Sequence, residues 1–172
     1  MFVLTVDKNR NPLNPTHPAR ARRFLKEGRA VVVRRYPFTI MLLDVERSDV
    51  VEYRLKLDPG SKTTGIAIVA DDRVIWGAEL HHRGYNIKQS LESRRALRRG
   101  RRNRHTRYRQ PRFNNRTRAD GWLAPSLQHR VLTIKTWVER LRRFCPISAI
   151  SMELVRFDTQ LMQNPDTSGF CI

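Results

Sequence analysis

Acidic residues are scarce in this chain. Sixteen Asp and Glu stand against 34 Lys and Arg in 172 residues, a net charge of +18 with an isoelectric point of about 11.4. Cysteine is scarcer still: Cys145 and Cys171 belong to no CxxC or CxxH pair. A zinc ribbon or finger built by this chain therefore fails on ligand count unless histidines supply the rest. One disulfide could form, but reduced thiols in a cytoplasm fit two isolated cysteines better. No apolar run approaches the roughly 18 residues of a membrane span. The opening MFVLTVDKNRNPLNP carries Asp7 and basic residues where a signal peptide needs a continuous apolar stretch. Secretion and membrane spanning are not expected, and a cytoplasmic location is. What is present, 40% hydrophobic residues, supplies a modest core for one ordinary domain or two very small ones, too much for disorder throughout.

The excess charge is confined to two stretches. His17–Arg35 holds seven Lys/Arg and one Glu, a net +6, and Lys88–Arg118 holds thirteen Lys/Arg and one Glu, a net +12. The remainder is balanced at fourteen of each sign. Localised basic patches of this strength point to a phosphate backbone as partner. A solvated or ribosome-like basic tail is the plainer alternative.

Periodicity divides the chain into four parts. Residues 1–50 read as a small β-α-β-β module. FVLTV is a strand, KNRNPLNP a turn-rich connection, Ala19–Glu27 a short helix ending at Gly28, and AVVVRRYPFTIMLLDV two extended runs meeting at Tyr36–Pro37. Residues 51–85 hold an antiparallel meander. Tyr53, Leu55 and Leu57 alternate with polar residues before the DPGSKTTG turn; strands Ile66–Ala70 and Val74–Leu80 then flank a turn at Asp71–Asp72. His81 and His82, at its far end, are expected on opposite faces rather than on one metal.

Residues 86–118 comprise an arginine-rich segment and a connector. Helix formers run to Pro111, yet Arg94/Arg98, Arg95/Arg99 and Arg98/Arg102 are like-charge pairs, and Gly100 costs about 1 kcal/mol. No continuous apolar face follows Leu97. Such a helix frays alone and firms when phosphates neutralise it. His105 reads as a phosphate or base contact; Tyr108, Phe113 and Trp122 could stack on unpaired bases or anchor packing.

Residues 119–172 begin with a helix opened by Pro125. Leu127, Val131, Ile134, Trp137, Val138, Leu141 and Phe144 form its apolar stripe, and Pro146 ends it. Trp76 and Trp137 read as core. ISAISMEL is then a strand that delivers Glu153 at its end, and the tail from Arg156 carries no strong pattern.

Asp58 ends one apolar strand and Glu153 another. A meander, a helix and a further strand follow the order of the ribonuclease H-like fold, which sets acidic residues at the ends of its first and fourth strands side by side. Adjacent carboxylates repel unless divalent cations lie between them. Two magnesium ions about 3.5–4 Å apart can activate water and stabilise a phosphodiester's leaving oxygen. The glycines of DPGSKTTG would admit a phosphate beside Ser61, Lys62 and Thr63. An Asp before Pro-Gly also serves as a turn former, and a strand-end Glu as plain surface. The topological pairing and the neighbouring arginines favour the ligand reading.

Five segments occur in an order that extends this reading: NPLNP (Asn11–Pro15), LDPGSKTTGIAI (Leu57–Ile68), RRALRRGRRNR (Arg94–Arg104), RFNNRTRADGWLAPSL (Arg112–Leu127) and MELVRFDTQLMQNP (Met152–Pro165). Together they resemble the IscB family of transposon-encoded RNA-guided nucleases, and more narrowly its N-terminal region, named RRXRR. They match in turn the PLMP module (with Asn14 where Met is usual), the first RuvC motif, the bridge helix, its connector and the second RuvC motif.

The resemblance implies an α/β (α+β) fold: a partial ribonuclease H-like RuvC domain with a small N-terminal module and a bridge helix. It implies Asp58 and Glu153 as catalytic carboxylates and metal ligands for Mg2+. Guide RNA and RNA–DNA heteroduplex would lie on Arg94, Arg95, Arg98, Arg99, Arg101, Arg102, Arg104, Arg107 and Lys62, and the location would be cytoplasmic, with the nucleoid when on DNA. In the family an HNH domain and a third RuvC motif follow the second, so the remaining carboxylate is expected from outside this chain. Asp158 and Asp166 are poorly placed substitutes. The chain alone is then expected to be inactive unless a second polypeptide completes it. A non-catalytic RNA-binding protein is the alternative.

Overall fold

The computed structural model describes residues 1–45, 51–104, 106 and 118–154. Over these described residues it is a mixed α+β structure with two mixed four-stranded sheets and three helices.

Short β-branched runs separated by turns build the first sheet. Its elements are β1 (Val3–Val6), β2 (Pro12–Thr16), α1 (Pro18–Lys26), β3 (Ala30–Arg34) and β4 (Thr39–Leu42), with strand order β2-β1-β4-β3. β1 and β4 are parallel, and the outer pairs antiparallel. One expectation is corrected here: the turn-rich NPLNP segment largely forms β2. Its prolines lack ladder donors, which an edge strand tolerates. The turn is confined to Asp7–Asn11, where Asp7 Oδ1 and Oδ2 accept from the backbone and side chain of Asn11 at 2.7 and 2.8 Å.

Pro18 opens α1 at its first turn, and the His17 ring accepts from the Ala19 N–H. Ala21 and Phe24, three apart, are buried against Val3, Leu13, Ala30, Ile40 and Leu42. Gly28, at φ +71°, lets the chain leave the helix.

The second sheet contains β5 (Tyr53–Pro59), β6 (Thr63–Ala70), β7 (Arg73–His81) and β8 (Ile147–Met152), in the order β7-β6-β5-β8. β5–β7 form the expected antiparallel meander, and β8 lies parallel to β5. Asp71 and Asp72 both have positive φ, the geometry of a tight two-residue hairpin turn. Tyr53, Leu55, Leu57, Ile66, Ile68 and Ile75 pack beneath helix α3 (Pro125–Arg142), whose Leu141 is fully buried. Each such side chain contributes about 1.5–3 kcal/mol on leaving water.

The predicted apolar stripe on α3 is only partly used. Ile134, Trp137 and Val138 pack against the second core, whereas Leu127 and Val131 remain exposed. Cys145 is fully buried, and desolvation pushes its thiol up to about 12. Cys171, Asp158, Asp166 and the tail lie outside the described residues.

The two sheets meet through β1. Leu4 joins the second core while its neighbour Val3 joins the first, and the Phe2 N–H donates to the Ile75 carbonyl at 2.9 Å. Between the meander and α3 runs α2 (Gly84–Asn103), beginning two residues before the expected start. A Cβ at Gly84 would stand 3.6 Å from the Ser126 carbonyl, so α2 leaves the body of the protein in close contact with the first turn of α3. From Lys88 to Arg104 every residue is exposed. Among the described residues no helix is long and apolar enough to cross a membrane.

Candidate metal and nucleic-acid site

The parallel pairing of β5 with β8 brings the two singled-out carboxylates together. Leu57 is the register partner of Met152, and the Glu153 N–H donates to the Leu57 carbonyl at 2.9 Å. Asp58 and Glu153 thus follow at one level on neighbouring strands, whose spacing is about 4.8 Å. The alternation that buries Leu55 and Leu57 under α3 turns Asp58 to the other face.

On that face Asp58 pairs across with Gly65, and Gly65 with Glu79 on β7. A Cβ at Gly65 would lie 3.8 Å from Asp58 Oδ2, so the missing side chain leaves the space beside the carboxylate open. Ala67 and Gly77 continue this low floor. The result is a cavity of about 770 Å³ lined by Lys56, Asp58, Gly65, Glu79, Ser151 and Glu153, among others. Both Asp58 and Glu153 are exposed. Glu79 was not among the candidates read from sequence. Its signal was a single carboxylate within an otherwise apolar strand run, opposite a glycine.

Magnesium is a hard cation that takes one or two carboxylates, with waters and substrate phosphates completing the octahedron. Asp58 and Glu153, adjacent and open to a roomy cavity, fit that donor chemistry. Among the described residues no three His, Cys, Asp or Glu side chains come close enough to hold one ion, so Glu79 stands near the pair without joining it.

The arginines stand on α2. At about 100° per residue, Arg94, Arg95, Arg98, Arg99, Arg101 and Arg102 occupy roughly 160° of its circumference, a one-sided guanidinium surface. Arg104 caps the C-terminus. The one acidic residue on the helix, Glu92, is 3.9 Å from Lys88 and leaves the arginines uncompensated. Arg107, His105, Tyr108 and Phe113 lie outside the described residues. Trp122 is half exposed, with the Arg118 guanidinium 4.0 Å from its ring centre.

A family model described as RRXRR protein matches residues 2–171. The chain belongs to the RRXRR family. No curated protein matches it.

In this RRXRR chain the DPGSKTTG turn lies beside both α2 and α3. Lys62 Nζ sits 5.8 Å from the Tyr85 ring in the first turn of α2, and Arg130 of α3 donates to the Ser61 carbonyl at 2.9 Å. The glycine of this turn has a structural reason of its own. A Cβ at Gly60 would fall 2.2 Å from the Thr63 carbonyl oxygen, so the turn requires glycine whether or not a phosphate approaches.

His81, the last residue of β7, is exposed. His82 is drawn inward, with Nε2 2.7 Å from the hydroxyl of buried Thr64. Burial first, then the nearby Arg130 and His129, hold the His82 pKa below its ordinary 6.5. Because the folded state lowers this pKa, on acidification the unfolded chain takes up the proton first and stability falls. Thermal melts should show a falling midpoint on acidification through this range. His82→Gln, which can still bond Thr64, should flatten that dependence; an unchanged slope would assign the acid sensitivity elsewhere.

Proposed function

We propose that this RRXRR chain works as part of an IscB-like RNA-guided DNA endonuclease. In this reading Asp58 and Glu153 supply two carboxylates of a RuvC-type metal site, while α2 is the bridge helix. The observation that carries it is the placement of Asp58 and Glu153 at one level on neighbouring parallel strands, open to one cavity. The order of strands and helix around them resembles that of the ribonuclease H-like fold, which supports the reading.

The arginines of α2 hold the phosphate backbone of guide RNA and heteroduplex, while base pairing reads sequence. Lys62 stands at the turn between the carboxylates and α2, where it can bind a phosphate lying across both. The pair Asp58–Glu153 would hold Mg2+, which would supply charge stabilisation and water activation for phosphodiester hydrolysis. The working compartment is the cytoplasm, with the nucleoid when DNA is bound.

Further donors come from a second polypeptide or further segment docking beside β8, which brings the third RuvC motif and an HNH domain. Support for this comes from the edge position of β8 among the described residues and from exposed Ile150, Met152 and Leu154 there. Unpaired edges with apolar side chains are surfaces that proteins ordinarily cover.

The alternative is a non-catalytic RNA-binding protein, favoured by the absence of a three-ligand cluster among the described residues. Magnesium-dependent cleavage of guide-matched DNA, assayed with RNA and the completing polypeptide, separates the two. The endonuclease loses that cleavage on Asp58→Ala or Glu153→Ala while retaining RNA binding. A binding protein shows no such cleavage, or cleavage indifferent to both substitutions.

A further inference from the structure

A second cavity, of about 570 Å³, adjoins the carboxylate cavity along β7; the two share Met1, Ile66, Gly77, Ala78 and Glu79. It opens between the first sheet's β3–β4 connection and the second sheet. Its walls are aromatic: Tyr36 and Phe38 from that connection, Trp76 from β7 and Trp137 from α3. Tyr36 is 80% exposed and Phe38 41%, so neither ring is consumed by core packing. Trp76 and Trp137 pack against the second core with only part of their surface.

Cations stand at and around this cavity, whose shared wall also carries the carboxylate of Glu79. Arg35 lines the cavity. The Arg140 guanidinium lies 4.6 Å from the Trp137 ring centre, and Arg34 lies 5.8 Å from that of Phe144. Burial first, and then the charge of Arg34, lower the Arg140 pKa. Among the described residues none of these three arginines is in an ion pair.

We propose that this cleft binds one unpaired nucleotide, its base against Tyr36, Phe38 and Trp137 and its phosphate against Arg34, Arg35 and Arg140. Arg34 Nε–H donates to the Tyr36 carbonyl at 2.6 Å, which holds its guanidinium beside that ring; flat π-faces beside guanidinium groups are the two halves of single-strand recognition. An aliphatic peptide would leave the cations unanswered, and an acidic peptide would leave the rings idle. The shared wall sets this nucleotide beside the carboxylate cavity, so its role as a holder of the cleaved strand rests on the nuclease reading. Its existence as a binding site does not.

The test uses the full chain without divalent metal, in a Trp122→Phe background that leaves Trp76 and Trp137 as emitters. A single-stranded oligothymidylate should quench their fluorescence, whereas an abasic strand of equal length should not. Tyr36→Ala with Phe38→Ala should weaken the quench-derived affinity by roughly tenfold, and Arg35→Ala should weaken it and flatten its salt dependence. Tyr36→Ala alone, at a highly exposed position, serves if the double variant melts early.

Asp58→Asn should leave the quench unchanged. Metal binding that Asp58→Asn leaves unchanged, with the quench intact, would therefore remove the nuclease reading and leave the cleft. Three results overturn the proposal: no quench, an equal quench by the abasic strand or an acidic peptide, or a quench indifferent to Tyr36 and Phe38.

Discussion

Replacing Arg94, Arg95, Arg98 and Arg99 with alanine is expected to cut RNA affinity by two to three orders of magnitude near 0.1 M salt. Each phosphate neutralised on a single strand contributes about 0.7 to the slope of log affinity against log salt. Four lost contacts therefore flatten that slope by about 3, worth roughly 10²–10³ at about 0.1 M relative to 1 M salt. The substitutions do not weaken the helix. Alanine is the best helix former, and the change removes the Arg94/Arg98 and Arg95/Arg99 repulsions. The four side chains are exposed, so no core packing is lost. Circular dichroism should show equal or greater helicity while filter binding or anisotropy shows the affinity loss. Unchanged affinity with an unchanged salt slope would take nucleic-acid binding away from α2.

Gly60→Ala is expected to be the most damaging single methyl in the second sheet. The added Cβ would lie 2.2 Å from the Thr63 carbonyl oxygen, a backbone atom that moves only if the β5–β6 turn moves. Opening that turn disturbs the Asp58–Gly65 pairing just beyond it. A cost of about 2 kcal/mol or more is expected, the range in which strain at a special backbone position becomes visible. Gly100→Ala provides the contrast. Nothing lies within 4 Å of its added Cβ on α2, and the change should raise local helix stability by about 1 kcal/mol. Denaturant melts should separate the two, with the midpoint falling for the first and not for the second. Equal midpoints would mean that the turn adapts and that Asp58 is held by the ladder alone.

The elements easiest to read in the sequence were those whose pattern is local. Alternation at Tyr53, Leu55 and Leu57, the Asp71–Asp72 turn and the Pro125 helix start each specify structure within a few residues. β2 was misread because Pro12 and Pro15 signal a turn unless the strand is known to sit at an edge, and edge position is a property of the whole sheet. Leu127 and Val131 continue the α3 stripe, yet both are exposed, because which stripe residues find a partner is set by tertiary packing and not by the period. The Asp58–Glu153 pair was within reach because both ends of an apolar run are visible in sequence. Glu79 was not, since its place in the row depends on two successive antiparallel registers. The aromatic cleft escaped for a related reason: Tyr36, Phe38, Trp76 and Trp137 come from three distant segments.

The central claim, that Asp58 and Glu153 together hold a divalent cation, is tested most directly by titrating the chain with Mn2+ and following the free ion by electron paramagnetic resonance. The account predicts binding that Mg2+ displaces, weakened roughly tenfold or more by either Asp58→Asn or Glu153→Gln. Mn2+ binding that both substitutions leave unchanged would contradict it.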